Sequence, residues 1–149
     1  MISVGNLTLG GTGKTPVVRA LVKRLRARGT AVHVLMLGYG GRLAGPVRVD
    51  PAIHGAEDVG DEALMLAADA PVWVARDRAA GALAAKAGGA EIIVMDDGHQ
   101  NPAVRKALSL VVVDGETREK EWPFGDGQVF PAGVPPFDWM LLSELWLAV

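Results

Sequence analysis

The chain has no cysteine among its 149 residues. That excludes disulfides and thiolate metal sites, and it fits a reducing compartment. Aromatic residues are scarce, with Tyr39 the single tyrosine. Three histidines, His33, His54 and His99, are scattered without metal-ligand spacing, and no Ser-His-Asp constellation is evident. Of the three, only His99 lies beside acidic residues. No apolar run reaches the roughly 18 residues of a membrane span, and no signal-peptide pattern is visible. The formal net charge of −2 gives no general reason to expect nucleic acid. Half of the residues are hydrophobic, enough for one domain with a buried core and too many for a disordered segment.

Glycine is plentiful, and its placement carries the first chemical signal. Gly10-Gly11-Thr12-Gly13-Lys14-Thr15 lies just past the apolar stretch Ile2-Ser3-Val4. Such glycines let backbone N–H groups approach phosphate oxygens. Lys14 can reach the outer phosphates, and the Thr15 hydroxyl can ligate Mg²⁺. The segment that follows reads as a helix, whose N-terminus favours the same anion. The usual pattern has a further glycine where this chain has Thr8. The run is read as a nucleoside triphosphate site; a merely tight strand-to-helix turn is the bland alternative.

Apolar strands alternate with helical patterns, without internal repeats. Strands are expected at Ile2–Val4, Val32–Leu37, Val72–Ala75, Glu91–Met95 and Leu108–Val113. Helices are expected at Pro16–Arg28, Asp61–Ala68 and Arg78–Ala87. Residues 38–59 read as a long loop containing Pro46 and Pro51. The fold class expected is α/β, P-loop NTPase-like: a mainly parallel sheet of about five strands with helices on both faces. Ligands in such sheets bind at the carboxyl ends of the strands. Arg19, Lys23, Arg24, Arg26 and Arg28 make the first helix basic, either as a solvated face or as a membrane-surface contact.

Acidic pairs sit where this architecture places its chemistry. Asp96-Asp97 closes the fourth apolar strand and suits the Mg²⁺ shell, since that ion takes oxygen ligands and keeps several waters. Asp61-Glu62 opens a helix. It is either an acidic first turn or a base for an acceptor hydroxyl. Arg78, in Arg76-Asp77-Arg78, offers a fork for phosphate or a surface ion pair. Asp114-Gly115 reads as a turn. The segment Phe137–Val149 is apolar and too short to span a bilayer, either a packed terminal helix or a sticky end.

Val4-Gly-Asn-Leu-Thr-Leu-Gly-Gly-Thr-Gly-Lys-Thr-Pro16, Gly38-Tyr-Gly-Gly41, Val59-Gly-Asp-Glu62, Asp96-Asp-Gly98 with Gln100, Val113-Asp-Gly115 and Phe130-Pro-Ala-Gly133 occur in one order. In this the chain resembles the tetraacyldisaccharide 4′-kinases, the lipid A kinases of Gram-negative bacteria. The resemblance covers about Ser3 to Gly133. It implies ATP- and Mg²⁺-dependent phosphorylation of the 4′-hydroxyl of tetraacyldisaccharide 1-phosphate, at the cytoplasmic face of the inner membrane and peripheral to it. It implies Gly10 to Thr15 as the nucleotide loop, and Thr15, Asp96 and Asp97 as metal ligands. Asp61 would help activate the acceptor hydroxyl, with Glu62 nearby. Tyr39, Gln100 and Arg78 would line the cleft.

Residues 1–133 are thus expected to form the nucleotide-binding core and 134–149 a divergent apolar tail. The sequence departs from the family pattern at several places. Met36-Leu37 replaces a Ser-Arg pair, His99-Gln100-Asn101 varies the run after Asp-Asp-Gly, and Val134-Pro-Pro-Phe replaces Pro-Leu-Arg-Glu. No residues here match the family's amino-terminal membrane segment or its second lobe, so weak transfer activity is expected. The competing readings are a nucleotide switch of the ParA and MinD type and a non-catalytic ATP-binding module. The switch proteins typically carry a lysine where this chain has Leu9.

Overall fold

The computed structural model describes residues 1–6, 14–97 and 103–112. Gly10 to Gly13, His99, Gln100, Asp114 and the apolar tail lie outside the described residues. In chain order the elements are β1 (Ile2–Asn6), α1 (Lys14–Ala27), β2 (Val32–Met36), β3 (Val47–Arg48), α2 (Ala56–Val59), α3 (Asp61–Ala67), β4 (Val72–Val74), α4 (Arg78–Ala87), β5 (Ile92–Asp96) and β6 (Leu108–Val112).

The strands form one six-stranded sheet in the order β3-β4-β2-β5-β1-β6. Every pairing is parallel except β3 with β4. The α/β reading holds, with a correction to the loop spanning residues 38–59. That segment contains β3 and α2. Two residues carry no periodicity, so β3 was illegible; it forms because Val47 and Arg48 pair with Val74 and Trp73. The Val49 N–H continues the contact, donating to the Val72 carbonyl at 2.8 Å.

Strand alternation divides the core between the two faces. Val32, Val34 and Met36 of β2 share one face with Val4, Val94 and Leu110, and there they meet Val18 and Val22 of α1 and Ala63 and Leu66 of α3. Leu35, Met95 and Ala75 make the smaller core of the other face, with Trp73, Ala82 and Ile93 against them. α4 covers that face. Asp77 caps it, its carboxylate accepting from the Ala79 and Ala80 N–H groups at 2.9 and 3.0 Å, worth about 1 kcal/mol. Gly81 lets α4 approach closely: a Cβ there would stand 2.6 Å from both Ala75 Cβ and Leu35 Cδ1.

His33 points into the α4 face and is buried. Its Nδ1 accepts from the Trp73 indole N–H at 3.1 Å, and the two rings stack. Nδ1 is therefore an unprotonated acceptor, and a proton there would displace the indole. Burial, helped by the Arg48 charge, holds the His33 pKa below 6.5. The unfolded chain then binds the proton more readily than the folded one. His33 contributes stability that is present above pH 6.5 and lost as pH falls below it. The melting temperature of the protein should drop on acidification through this window. His33→Gln, which keeps an acceptor and does not titrate, should flatten that part of the profile; an unchanged slope would remove His33 as the cause.

Candidate active site

β1 and β5 lie side by side, and the chain leaves them in opposite directions. From β1 it crosses past β5 to reach β2; from β5 it crosses past β1 to reach β6. A crevice outside the carboxyl ends of such a strand pair is where open α/β sheets bind ligands. Val4 pairs with Asp96, and the Asp97 N–H donates to the Val4 carbonyl at 3.0 Å. The end of β5 is thereby held against the strand that leads into the glycine run.

Lys14 and Thr15 open α1, which is anchored to the sheet by Val18 and Val22. Lys14 Nζ lies 2.9 Å from Asp97 Oδ1. Asp97 is 70% exposed and sits in the left-handed region at φ 54°, which aspartate tolerates better than most residues. An ion pair this open contributes little to stability. A phosphate can therefore take the place of the carboxylate at Lys14 at small cost.

Asp96 behaves differently. It is 4% exposed, and its pKa is pushed up to about 6. Burial is the main cause, and the charges of Glu62 and Asp97 add to it. Lys14 and the Asp97 N–H act the other way. Such a carboxylate is short of positive charge. A hard divalent cation would supply it, with Asp97 and the Thr15 hydroxyl as further oxygens and waters completing the shell. The donors present fit Mg²⁺. Among the described residues no group of three or more His, Cys, Asp or Glu side chains forms a metal cluster.

Arg78 reaches the acids from the opposite face. It opens α4 and is buried, its guanidinium near the Ala75 carbonyl at 3.5 Å. Burial lowers its pKa, while the charges of Asp97 and Asp96 favour the charged form. Lys14, Arg78, Asp96, Asp97 and Glu62 are thus brought to one edge of the sheet. Asp61 opens α3 and is exposed; among the described residues its side chain makes no hydrogen bond or ion pair. Tyr39 is 88% exposed beyond the end of β2.

Two sequence runs far apart in the chain meet here. Gly60 has φ 89°, and a Cβ on it would stand 2.4 Å from the Tyr39 carbonyl oxygen. The loop after β2 therefore rests directly on the residue before Asp61. Arg42 locks the same junction. Its Nε and Nη2 each lie 2.7 Å from Asp58 Oδ1, and its N–H donates to the Glu57 carbonyl. Asp58 Oδ2 accepts from the Gly55 N–H. This clamp escaped sequence reading, because neither Arg42 nor Asp58 belongs to a motif. A groove of about 500 Å³ lies elsewhere, between α4 and residues 103–105, and is lined mainly by apolar side chains.

Comparison with known proteins gives this arrangement a relation. The family model described as tetraacyldisaccharide-1-P 4′-kinase (LpxK) matches residues 1–135. The tetraacyldisaccharide 4′-kinase of Phenylobacterium zucineum is 71% identical over 133 residues, which are 89% of this chain and 39% of that protein. The Caulobacter vibrioides enzyme of the same name is 68% identical over 133 residues, 40% of its length. The chain thus spans about two-fifths of these relatives. A crystal structure of the "apo" form of LpxK from Aquifex aeolicus in complex with ATP superposes with a TM-score of 0.65 at 31% identity, covering 74% of this chain and 36% of that one. With nine-tenths of the chain inside the family match, and the motif residues Lys14, Thr15, Asp96 and Asp97 gathered at the β1–β5 edge, the chain belongs to the tetraacyldisaccharide-1-P 4′-kinase family.

Proposed function

We propose that this chain carries the nucleotide-binding core of a kinase that transfers the γ-phosphoryl group of ATP to the 4′-hydroxyl of tetraacyldisaccharide 1-phosphate. The observation that carries the reading is the pairing of β1 with β5, which brings Lys14 to Asp97 and sets Asp96 beside them. The core is residues 1–133, and 134–149 is a divergent apolar tail. The substrate assignment rests on the family, and the ATP on the solved relative named for its ATP complex. An acylated acceptor suits work at a membrane surface, here the cytoplasmic face of the inner membrane. Among the described residues no helix is long and apolar enough to cross a membrane.

Phosphoryl transfer depends mainly on positioning and on neutralising charge. Gly10 to Gly13, with Lys14, would cradle the phosphates, and Lys14 would leave Asp97 to do so. Arg78, fixed at the start of α4, adds a second positive charge from the other face of the sheet. Thr15, Asp96 and Asp97 would hold Mg²⁺, which when bound neutralises charge on the β- and γ-phosphates. Asp61 would accept the proton of the acceptor hydroxyl as its oxygen bonds to the γ-phosphorus, while the bond to the β-phosphate oxygen breaks and ADP departs. Glu62, next to this base in the chain, is close enough to the metal acids for its charge to raise the Asp96 pKa. Tyr39 and Gln100 would line the acceptor side of the cleft.

The direct test is transfer from labelled ATP to tetraacyldisaccharide 1-phosphate in detergent micelles. A new phosphate monoester at the 4′-position is expected, and Asp61→Asn should lower the rate about 100-fold. ATP binding with no transfer by the parent protein would reject the kinase reading in favour of a switch or a non-catalytic module.

Lys14→Ala should weaken Mg-ATP binding by about 10- to 100-fold, the worth of a charge-assisted phosphate contact. Calorimetry checks this, and an unchanged affinity would place the phosphates elsewhere.

Asp96→Asn should have two opposed effects. The folded pKa of Asp96 lies near 6, above the ordinary 3.8. The folded chain therefore takes up the proton more readily than the unfolded one. Stability contributed by protonated Asp96 is present at low pH and is lost as pH rises through about 6. Without metal at neutral pH, the asparagine variant should be more stable by about 3 kcal/mol. It should also lose most of the Mg²⁺ dependence of ATP binding. Melting curves in chelator, paired with magnesium titrations, decide both. An unstabilised variant with an unaltered titration would leave Asp96 a purely structural strand end.

A further inference from the structure

The basic face of α1 does something that neither sequence reading anticipated. Arg19, Lys23 and Arg26 recur at helical spacing and form one stripe, and all three converge on Asp69, just past α3. Arg19 Nε lies 2.6 Å from Asp69 Oδ2, and Lys23 Nζ lies 3.3 Å from Oδ1. Arg26 donates to the Asp69 backbone carbonyl. The Asp69 N–H in turn donates to the Leu66 carbonyl, so the residue is part of the turn that ends α3.

Exposed ion pairs are usually worth little. This one differs in three ways. The Asp69 side chain is 12% exposed, each of its oxygens has its own cation, and the backbone carbonyl is engaged as well. The hydrogen bond from Arg19 is the main cause holding the Asp69 pKa below the usual carboxylate range.

The location gives the cluster its meaning. α1 descends from the carboxyl edge of β1 and α3 precedes β4, so the two helices lie on one face and both begin at the reactive edge. α1 begins with Lys14 and Thr15; α3 begins with Asp61 and Glu62. Between the two helices the shared apolar core supplies Val18, Val22, Ala63 and Leu66. Such contacts are non-directional and resist sliding poorly. A fork of hydrogen bonds resists it well. Arg19 is only about 7 Å along the helix axis from Lys14.

We propose that Asp69 is a positioning residue: by holding Arg19, Lys23 and Arg26 it fixes the offset between the helix that presents the phosphate lysine and the helix that presents the acceptor base. This rests on the kinase reading for its consequence, since a displacement of about 1 Å between reacting groups can cost up to about 100-fold in rate. The residues assigned to the nucleotide, Gly10 to Thr15, Asp96, Asp97 and Arg78, lie outside α3, so nucleotide affinity is spared.

The absence of cysteine permits the test without further changes. Spin labels at Ala20→Cys and Met65→Cys, both exposed positions on α1 and α3, report the inter-helix distance distribution. A single narrow distribution is expected in the labelled parent. Asp69→Asn should widen it about twofold, a local loosening short of unfolding, and Asp69→Glu should restore it. Mg-ATP affinity should stay within about twofold of the parent, while phosphoryl transfer per nucleotide-binding site falls about 10-fold in Asp69→Asn. Arg19→Gln removes the same tie from the other helix and serves if Asp69→Asn does not fold. An unchanged distribution in the variants overturns the proposal. So does a parallel loss of ATP binding and transfer, which marks a merely structural residue. If the parent binds ATP but transfers no phosphate, the kinase reading falls, and the tie still stands or falls on the measured distances.

Discussion

Placing β5 directly against β1 imposes a single constraint from which the rest of the site follows. Val4 pairs with Asp96, and the Asp97 N–H closes onto the Val4 carbonyl. Alternation then dictates which way the two acids go. Asp96 follows Ile92 and Val94 onto the face covered by α1, where water is excluded. Asp97 leaves the strand in a left-handed turn and stays in solvent. Two adjacent identical side chains thereby acquire opposite properties. One is desolvated and hard to ionise; the other is hydrated and free to occupy Lys14.

Among the described residues, the charges at this edge oppose one another as much as they pair. Asp96 feels Glu62 and Asp97 more than it is relieved by Lys14. Lys14 is satisfied by an exposed carboxylate that solvent screens. Arg78 is buried, donates a long hydrogen bond to the Ala75 carbonyl, and feels the charges of Asp97 and Asp96. A folded protein does not gain stability from such a set. In the proposed kinase such a set would favour a ligand that brings both signs of charge, as a magnesium-bound polyphosphate does. Strain of this kind is expected where function overrides local preference.

Much of the candidate site can be proposed from the sequence because its chemistry is local. Gly10 to Thr15 and Asp96-Asp97 are short runs, each attached to a strand whose apolar pattern is plain. The helix Arg78–Ala87 was readable for the same reason, whereas its Asp77 cap was not, since Arg76-Asp77-Arg78 reads as a phosphate fork or an ion pair. What was illegible is the set of contacts made between distant segments. Nothing about Arg42 foretells Asp58, nor does Asp69 announce three cations on α1. His33 looked like a strand residue without a partner until Trp73 was brought beside it. The two-residue strand β3 exists only as an edge for β4, so its cause lies outside its own sequence.

The Gly38-Tyr-Gly-Gly41 and Val59-Gly-Asp-Glu62 runs show how the legible and illegible parts combine. Each reads separately as a flexible turn and as an acidic helix start. The structure makes them one object, because the Tyr39 carbonyl occupies the space a side chain on Gly60 would fill. The loop cannot move toward α3 without collision. Hydrogen bonds from Arg42 and Leu43 to Glu57 and Asp58 keep it from moving away. Asp61 is therefore held from both directions, by this clamp at the start of α3 and by the Asp69 cluster at its end. A helix of seven residues has little intrinsic stability. Ala63 and Leu66 hold its middle in the core, and the distinctive residues at its two ends fix its position.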